Sequence, residues 1–157
     1  AMSEPSEQEP GRVRNGRRIQ DLCSAIARAA TKRAQGKLSS IGLSSAAHSL
    51  IRVIGEREDM TLTEAAKVLR VESATLSSLA VRLERDGLLT REVSPNDKRA
   101  MFLKLTTHAR NLGKQGDQIM AIEAADVTHQ LSEGEQAQLV TMLERVLQNL
   151  EPTKPGG

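Results

Sequence analysis

A chain of 157 residues is long enough for one ordinary core and too short for two comfortable ones. Phe102 is its only aromatic residue, so Leu, Ile, Val, Ala and Met must fill the interior, which favours helices packed through aliphatic stripes over a sheet-rich fold. The single cysteine, Cys23, excludes an intramolecular disulfide, and no signal peptide or apolar run of membrane length is evident, so the expectation is a cytoplasmic protein with no membrane partner.

Net charge is only +2, but it is unevenly spread. Residues 1–10 hold Glu4, Glu7 and Glu9 and no base; residues 11–37 hold eight bases against Asp21 alone; from 106 onward four bases face seven acids. A basic front and an acidic back fit a polyanion met on one side, beside the plainer reading of a solvated charged face.

Residues 1–16 have the Pro, Gly, Ser and charge content of a flexible arm. From Ile19 the apolar residues Leu22, Cys23, Ile26, Ala27 and Ala30 follow at helical spacing, predicting a first helix over about 17–36. A second helix starts near Ser44 or Ser45, carries Leu50, Ile51 and Ile54, and stops by Glu58. Thr61 with Glu64 forms a capping box that opens a short helix to Arg70. Val71 and Glu72 leave only a brief turn before another helix, with Leu76, Leu79, Ala80 and Leu83 on its buried side and Gly87 at its end. Two short helices so joined form a helix-turn-helix.

The runs "LLTREV" and "AMFLKL" then read as two short strands around the turn formers Pro95, Asn96 and Asp97. Helix-turn-helix plus hairpin makes a winged helix-turn-helix lobe, about 44–105. A long helix follows from Thr107 to Val127, with Gly113 and Gly116 expected to weaken and bend it. Ser132 and Glu135 form a second capping box before a last helix striped by Leu139, Met142, Leu143, Val146, Leu147 and Leu150. Residues 152–157 read as a disordered tail. The fold class is therefore mainly α with a small β-hairpin wing.

The second helix of a helix-turn-helix lies in the major groove, where short polar side chains reach base edges. On its outer side stand Ser73, Thr75, Ser77, Ser78, Arg82 and Arg85, and the wing adds Lys98 and Arg99. Any one of these serines would be ordinary surface; the set, followed at once by a basic hairpin, favours double-stranded DNA. Asp97 is the anomaly, a carboxylate in a turn meant to meet phosphate. It is explained as a brace, accepting hydrogen bonds from turn amides and pairing with Arg99, Arg91 or Arg82.

The stretch "LTEAAKVLRVESATLSSLAVRLERDGLLTREVSPNDKRAMFLKLTTHAR" resembles the MarR family of bacterial winged-helix repressors. That family has a leucine, charged residues and a glycine closing the helix-turn-helix, an Asp-x-Arg in the wing, and a Leu-Thr opening the next helix. Leu83, Gly87, Asp97, Arg99, Leu105 and Thr106 fill those places, while Ala65 and Ala109 depart from the usual leucine and glycine.

The resemblance, over about residues 17–150, implies a single MarR-type domain. Its first and last helices (about 17–36 and 107–151) would intertwine in a homodimer, each lobe reading half of a palindromic operator. The long apolar stripe of the last helix independently asks for a partner surface.

The family resemblance further implies release from DNA by a small aromatic or phenolic carboxylate. Arg28, Thr31, Ser45, His48 and Arg52 are the candidates to hold it, since a carboxylate wants cations and hydroxyls within an apolar shell. Peroxide-sensing relatives carry a reactive cysteine in the first helix, where Cys23 stands. They activate it with tyrosines, which this chain lacks, and a place on the apolar stripe implies a buried, inert thiol.

No enzymatic pattern emerges. The "RAQGKLSS" stretch lacks the upstream glycine of a phosphate loop, and His48, His108 and His129 have no metal-ligand spacing with Cys23, so neither cofactor nor metal is expected. A ligand-independent architectural DNA binder is the alternative from another class.

Overall fold

The computed structural model describes residues 10–57 and 59–151. Within them the order is α1 (Gly11–Leu38), a single 3-10 turn (Ser39–Ile41), α2 (Ser45–Gly55), α3 (Leu62–Leu69), α4 (Ser73–Arg85), β1 (Leu89–Val93), β2 (Met101–Leu105), α5 (Thr107–Val127) and α6 (Glu133–Gln148). The mainly helical class and the hairpin agree with the sequence reading. Helix α1 begins earlier than expected, taking in residues 11–16 that composition assigned to the arm; residues 1–9 and 152–157 lie outside the described residues. The charged segment that reads as loose has no proline after Pro10, and arginine is a good helix former.

By its internal packing the chain divides into two compact units, one ending at Ile119 and the other beginning at Met120. The first unit holds a closed aliphatic core in which Leu43, Leu50, Ile51, Val53, Leu76, Leu83, Leu89 and Leu103 are all buried. Ala65 and Ala109, the two departures from the family pattern, are both fully buried and take small spaces in it. Phe102, the lone aromatic, is only half-buried, so aliphatic packing carries the interior as composition required.

Local chemistry sets the helix ends in this unit. Thr61 Oγ1 accepts from Glu64 N at 3.2 Å and Glu64 Oε2 accepts from Thr61 N at 3.0 Å, the reciprocal capping box read from sequence. Arg70 closes α3 in the left-handed region at φ 55°, an unusual place for a side chain with a Cβ, and Val71 N donates back to Ala66 O at 3.1 Å. That single reversal folds the chain from α3 into α4 within three residues. Gly87, at φ 73°, ends α4 with Leu88 N donating to Leu83 O at 2.9 Å and Gly87 N to Glu84 O at 3.1 Å, a double closure that favours glycine.

Strands β1 and β2 pair antiparallel, Leu89 opposite Leu105 and Val93 opposite Met101. Sequence reading missed a third participant: Thr61 bridges Phe102, and Leu103 N donates to Met60 O at 2.8 Å, so the segment before α3 caps the hairpin's open edge. Thr106 then links the lobe to α5. Its Oγ1 donates to Gly87 O at 2.9 Å and accepts from Ala109 N at 3.2 Å, so one hydroxyl touches the end of the helix-turn-helix and caps the next helix.

The glycines of α5 have a different role from the one expected. A Cβ on Gly113 would stand 2.8 Å from Ile51 Cγ2, and one on Gly116 would overlap His48 Cδ2. They let α5 lie against α2 rather than weakening it to bend.

In the second unit Ser132 Oγ accepts from Glu135 N at 3.2 Å and Glu135 Oε2 accepts from Ser132 N at 2.8 Å, again the expected capping box. Gln136 Nε2 donates to Leu131 O at 2.9 Å and holds the turn before α6. No residue of α6 is buried, and its stripe of Leu139, Met142, Leu143 and Leu147 is exposed, as is Leu150 just past its end.

Candidate nucleic-acid interface

Burial of Leu76, Leu79, Ala80 and Leu83 fixes the roll of α4. Ser73, Thr75, Ser78, Arg82 and Arg85 are exposed as the sequence predicts, whereas Ser77 is half-buried at the flank of the face. Ser78 Oγ donates to Ala74 O at 3.2 Å, which leaves its lone pairs directed away from the backbone. Arg85 lies beside Asp86 with Nε 3.6 Å from Oδ1, an exposed pair that holds it weakly. Glu72, the N-cap residue, makes no side-chain capping bond, so the positive end of α4 keeps its first amides open.

The wing tip is organised around a serine that the sequence reading passed over. Ser94 is buried, and its Oγ accepts from both Asn96 N and Asp97 N at 3.3 Å. Asp97 Oδ1 accepts from Arg99 N at 2.9 Å, and Ala100 N donates to Asp97 O at 3.0 Å. The turn-amide half of the proposed brace is thus present.

The ion-pair half is not: among the described residues the Asp97 carboxylate pairs with none of Arg99, Arg91 and Arg82. Arg91 is engaged elsewhere, with Nε 2.7 Å from Glu84 Oε1, a half-buried pair that ties β1 to α4. Geometry explains the difference, since Arg91 faces Leu103 within the strand pair and projects toward α4 rather than toward the turn. Lys98 and Arg99 remain exposed at the tip. A serine just before Pro-Asn-Asp was the available signal for Ser94, because a hydroxyl there can satisfy the two amides that follow. No comparable signal marks Glu84 and Arg91, whose seven-residue separation spans a helix end and a strand start.

The five candidate effector residues do not gather at one place. Arg28 and Thr31 line an open depression along α1 together with Ala27, Lys32 and Gln35. Ser45, His48 and Arg52 are absent from that lining. Ser45 N donates to Gln35 Oε1 at 2.9 Å, and Arg52 sits exposed beside Glu56 at 3.4 Å. His48 is buried, with Nε2 2.8 Å from Asp117 Oδ1 on α5 and its ring against Gly116. It is a packed, hydrogen-bonded histidine.

Cys23 also departs from expectation: it is exposed, because the Ile19, Leu22 and Ile26 stripe beside it is itself uncovered in this chain. The described residues contain no group of three or more His, Cys, Asp and Glu side chains arranged to hold a metal ion, and no described helix is long and apolar enough to cross a membrane.

Residues 41–100, from the 3-10 turn to the wing tip, match the model of the MarR family. The fold is similar to a mutant MarR from E. coli complexed with operator DNA, at 27% identity over 82% of this chain and 93% of that one, with a TM-score of 0.77. It is similar to the S. aureus MepR–DNA complex at 26% identity over 83% of this chain and 96% of that one, also with a TM-score of 0.77. The transcriptional regulator BldR from Sulfolobus solfataricus shares the fold, with a TM-score of 0.80 at 17% identity over 89% of this chain and 99% of that one.

Proposed function

We infer that this chain, which belongs to the MarR family of winged-helix transcription regulators, binds operator DNA through α4 and the wing. The observation that carries the reading is one surface of the first unit: a hydroxyl and guanidinium face on α4, beside a wing tip held rigid by Ser94 and presenting Lys98 and Arg99. Hydroxyls suit base edges, and the exposed cations suit phosphate and the minor groove. Two similar solved proteins are complexed with DNA, which supports the same partner here.

The regulator is a homodimer on a palindromic site. Exposed apolar stripes on α1 (Ile19, Leu22, Ile26) and α6 (Leu139, Met142, Leu143, Leu147) support this, since uncovered stripes of that length are costly in water. It acts as a repressor released by a small aromatic or phenolic acid, and the α1 depression with Arg28 and Thr31 supplies a cation and a hydroxyl for the carboxylate. Exposure of Cys23 favours a second reading, release by oxidation, although no tyrosine exists to activate the thiol.

The test is binding of the full chain to duplex DNA from upstream of its own gene across a salt series. Arg99→Ala should weaken binding at many sequences and reduce the salt slope by about one. An unchanged slope would remove the wing from the interface. Titration with benzoate and salicylate should release the parent chain, and Arg28→Ala should blunt that release. Peroxide acting equally on the parent and on Cys23→Ser would exclude the oxidative reading.

A further inference from the structure

The outermost line of α4 contains more than hydroxyls and cations. With Leu76, Leu79, Ala80 and Leu83 inward, the residues most directly opposite are Ala74, Ser78, Val81 and Arg85, at spacing i, i+4, i+7 and i+11. Val81 is 56% exposed at the middle of that line and adds nothing to the core. A lone surface valine is ordinary elsewhere on a protein. Here it occupies the centre of the face that the operator-binding reading directs at base edges, flanked by Ser78, Arg82 and Arg85.

Serine and arginine are rewarded by hydrogen-bonding groups in the major groove. The C5-methyl of thymine offers none, and it is read by apolar contact. Valine in a helix is held close to one χ1 rotamer, so its two methyls are fixed before DNA arrives and little side-chain freedom is lost on contact.

We propose that Val81 is a specificity-determining residue that packs on a thymine methyl, so that each half-site contains a thymine required for its methyl group alone. Ala74 lies on the same line seven residues earlier, about 10 Å along the axis, or roughly three base-pair steps away. A second, weaker methyl contact falls there. The proposal rests on the operator-binding reading, and its test separates the two.

The experiment uses the full chain and a duplex footprinted upstream of its own gene, with each thymine of a half-site replaced singly by deoxyuridine, which deletes only the C5-methyl. The parent should lose affinity roughly fourfold at one central thymine, the worth of one buried methyl-sized group. Val81→Ala should bind the thymine duplex with a similar loss and be indifferent to deoxyuridine at that position alone. Val81→Thr, which keeps one methyl, should retain part of the discrimination. Because Val81 is exposed and alanine is the better helix former, the alanine variant should melt no lower than the parent.

If Val81→Ala binds DNA with the same thymine-to-deoxyuridine ratio as the parent at every position, the assignment is wrong while the operator reading stands. If the parent binds none of the upstream duplexes, both are overturned together.

Discussion

The winged-helix lobe and the terminal helices obey the same sequence rules and end in opposite states. In the lobe, each apolar stripe finds its complement within the chain: Leu50, Leu43 and Leu103 are almost wholly buried. In α1 and α6 the stripes are as regular, yet Ile19, Leu22, Leu139 and Leu143 stand at 40–41% exposure. Helical spacing therefore says that a face will be covered and not by what. The lobe is closed by its own residues, and the stripes of α1 and α6 are left uncovered by theirs, as the proposed homodimer requires.

The contrast predicts different consequences for similar truncations. Leu50→Ala should cost about 2–5 kcal/mol, because it empties a filled space that its neighbours cannot close, and urea unfolding should show it at any protein concentration. If the proposed homodimer covers α6, Leu143→Ala or Leu147→Ala should lower stability mainly where that dimer dissociates, visible as a melting temperature that depends on concentration. If Leu143→Ala lowers the midpoint equally at high and low concentration, the α6 stripe is a core within one chain and the contrast fails.

Next in size is the seam between α2 and α5. Gly116→Ala places a methyl into the His48 ring and Gly113→Ala presses on Ile51, and overpacking of this kind costs about 1–3 kcal/mol, partly offset by alanine's better helix propensity. The double variant Gly116→Ala with His48→Ala should recover part of the loss, since the ring is what the methyl meets. Additive losses in that double variant would show that α5 is positioned by something other than this contact.

Much of this architecture was legible because it is local. Both capping boxes, the glycine closure of α4, the hairpin and the bounds of α5 follow from residues within a few positions of one another. What escaped is where distant segments meet. The Thr61 bridge to Phe102 joins residues 41 positions apart, the His48–Asp117 bond joins residues 69 apart, and Arg91 chose Glu84 over Asp97 through the geometry of a strand crossing a helix end. Gly113 and Gly116 were read from helix propensity alone, which does not register a neighbouring helix. The polar face of α4 is legible from its spacing, whereas Val81, an apolar residue on the same line, carries no hydroxyl or cation to mark it. Cys23 stands on its stripe as expected but is exposed, because helical spacing marks a stripe without saying whether this chain covers it.

The two capping boxes compare the regions at smaller scale. Thr61→Ala and Ser132→Ala remove equivalent hydroxyls, each worth about 1 kcal/mol at a helix start. Thr61 also adjoins the wing through its backbone bridge to Phe102, so loosening the α3 start by removing its hydroxyl should weaken DNA binding as well as stability. Ser132→Ala should change only the melting of the second unit. Equal effects on DNA affinity would mean that the α3 start and the wing are not coupled as the bridge implies.

The smallest expected effect is at Asp97, where two contributions oppose one another. In the proposed complex its charge would repel the phosphates that Lys98 and Arg99 would approach, and its Oδ1 holds the Arg99 amide at 2.9 Å. Without an ion pair to Arg91, the brace amounts to one exposed hydrogen bond backed by Ser94, so neither contribution dominates by much. Asparagine separates them, keeping an acceptor oxygen for the Arg99 amide while removing the charge. Asp97→Asn should bind DNA somewhat more tightly than the parent at low salt, and Asp97→Ala should bind more weakly than Asp97→Asn by about twofold to fivefold, the scale of one net hydrogen bond. Measured at rising salt, the Asn advantage over the parent should shrink while the Asn-to-Ala gap persists, since screening acts on charge and not on the turn. If alanine and asparagine bind alike, the Arg99 amide does not need its acceptor, and Ser94 alone sets the tip.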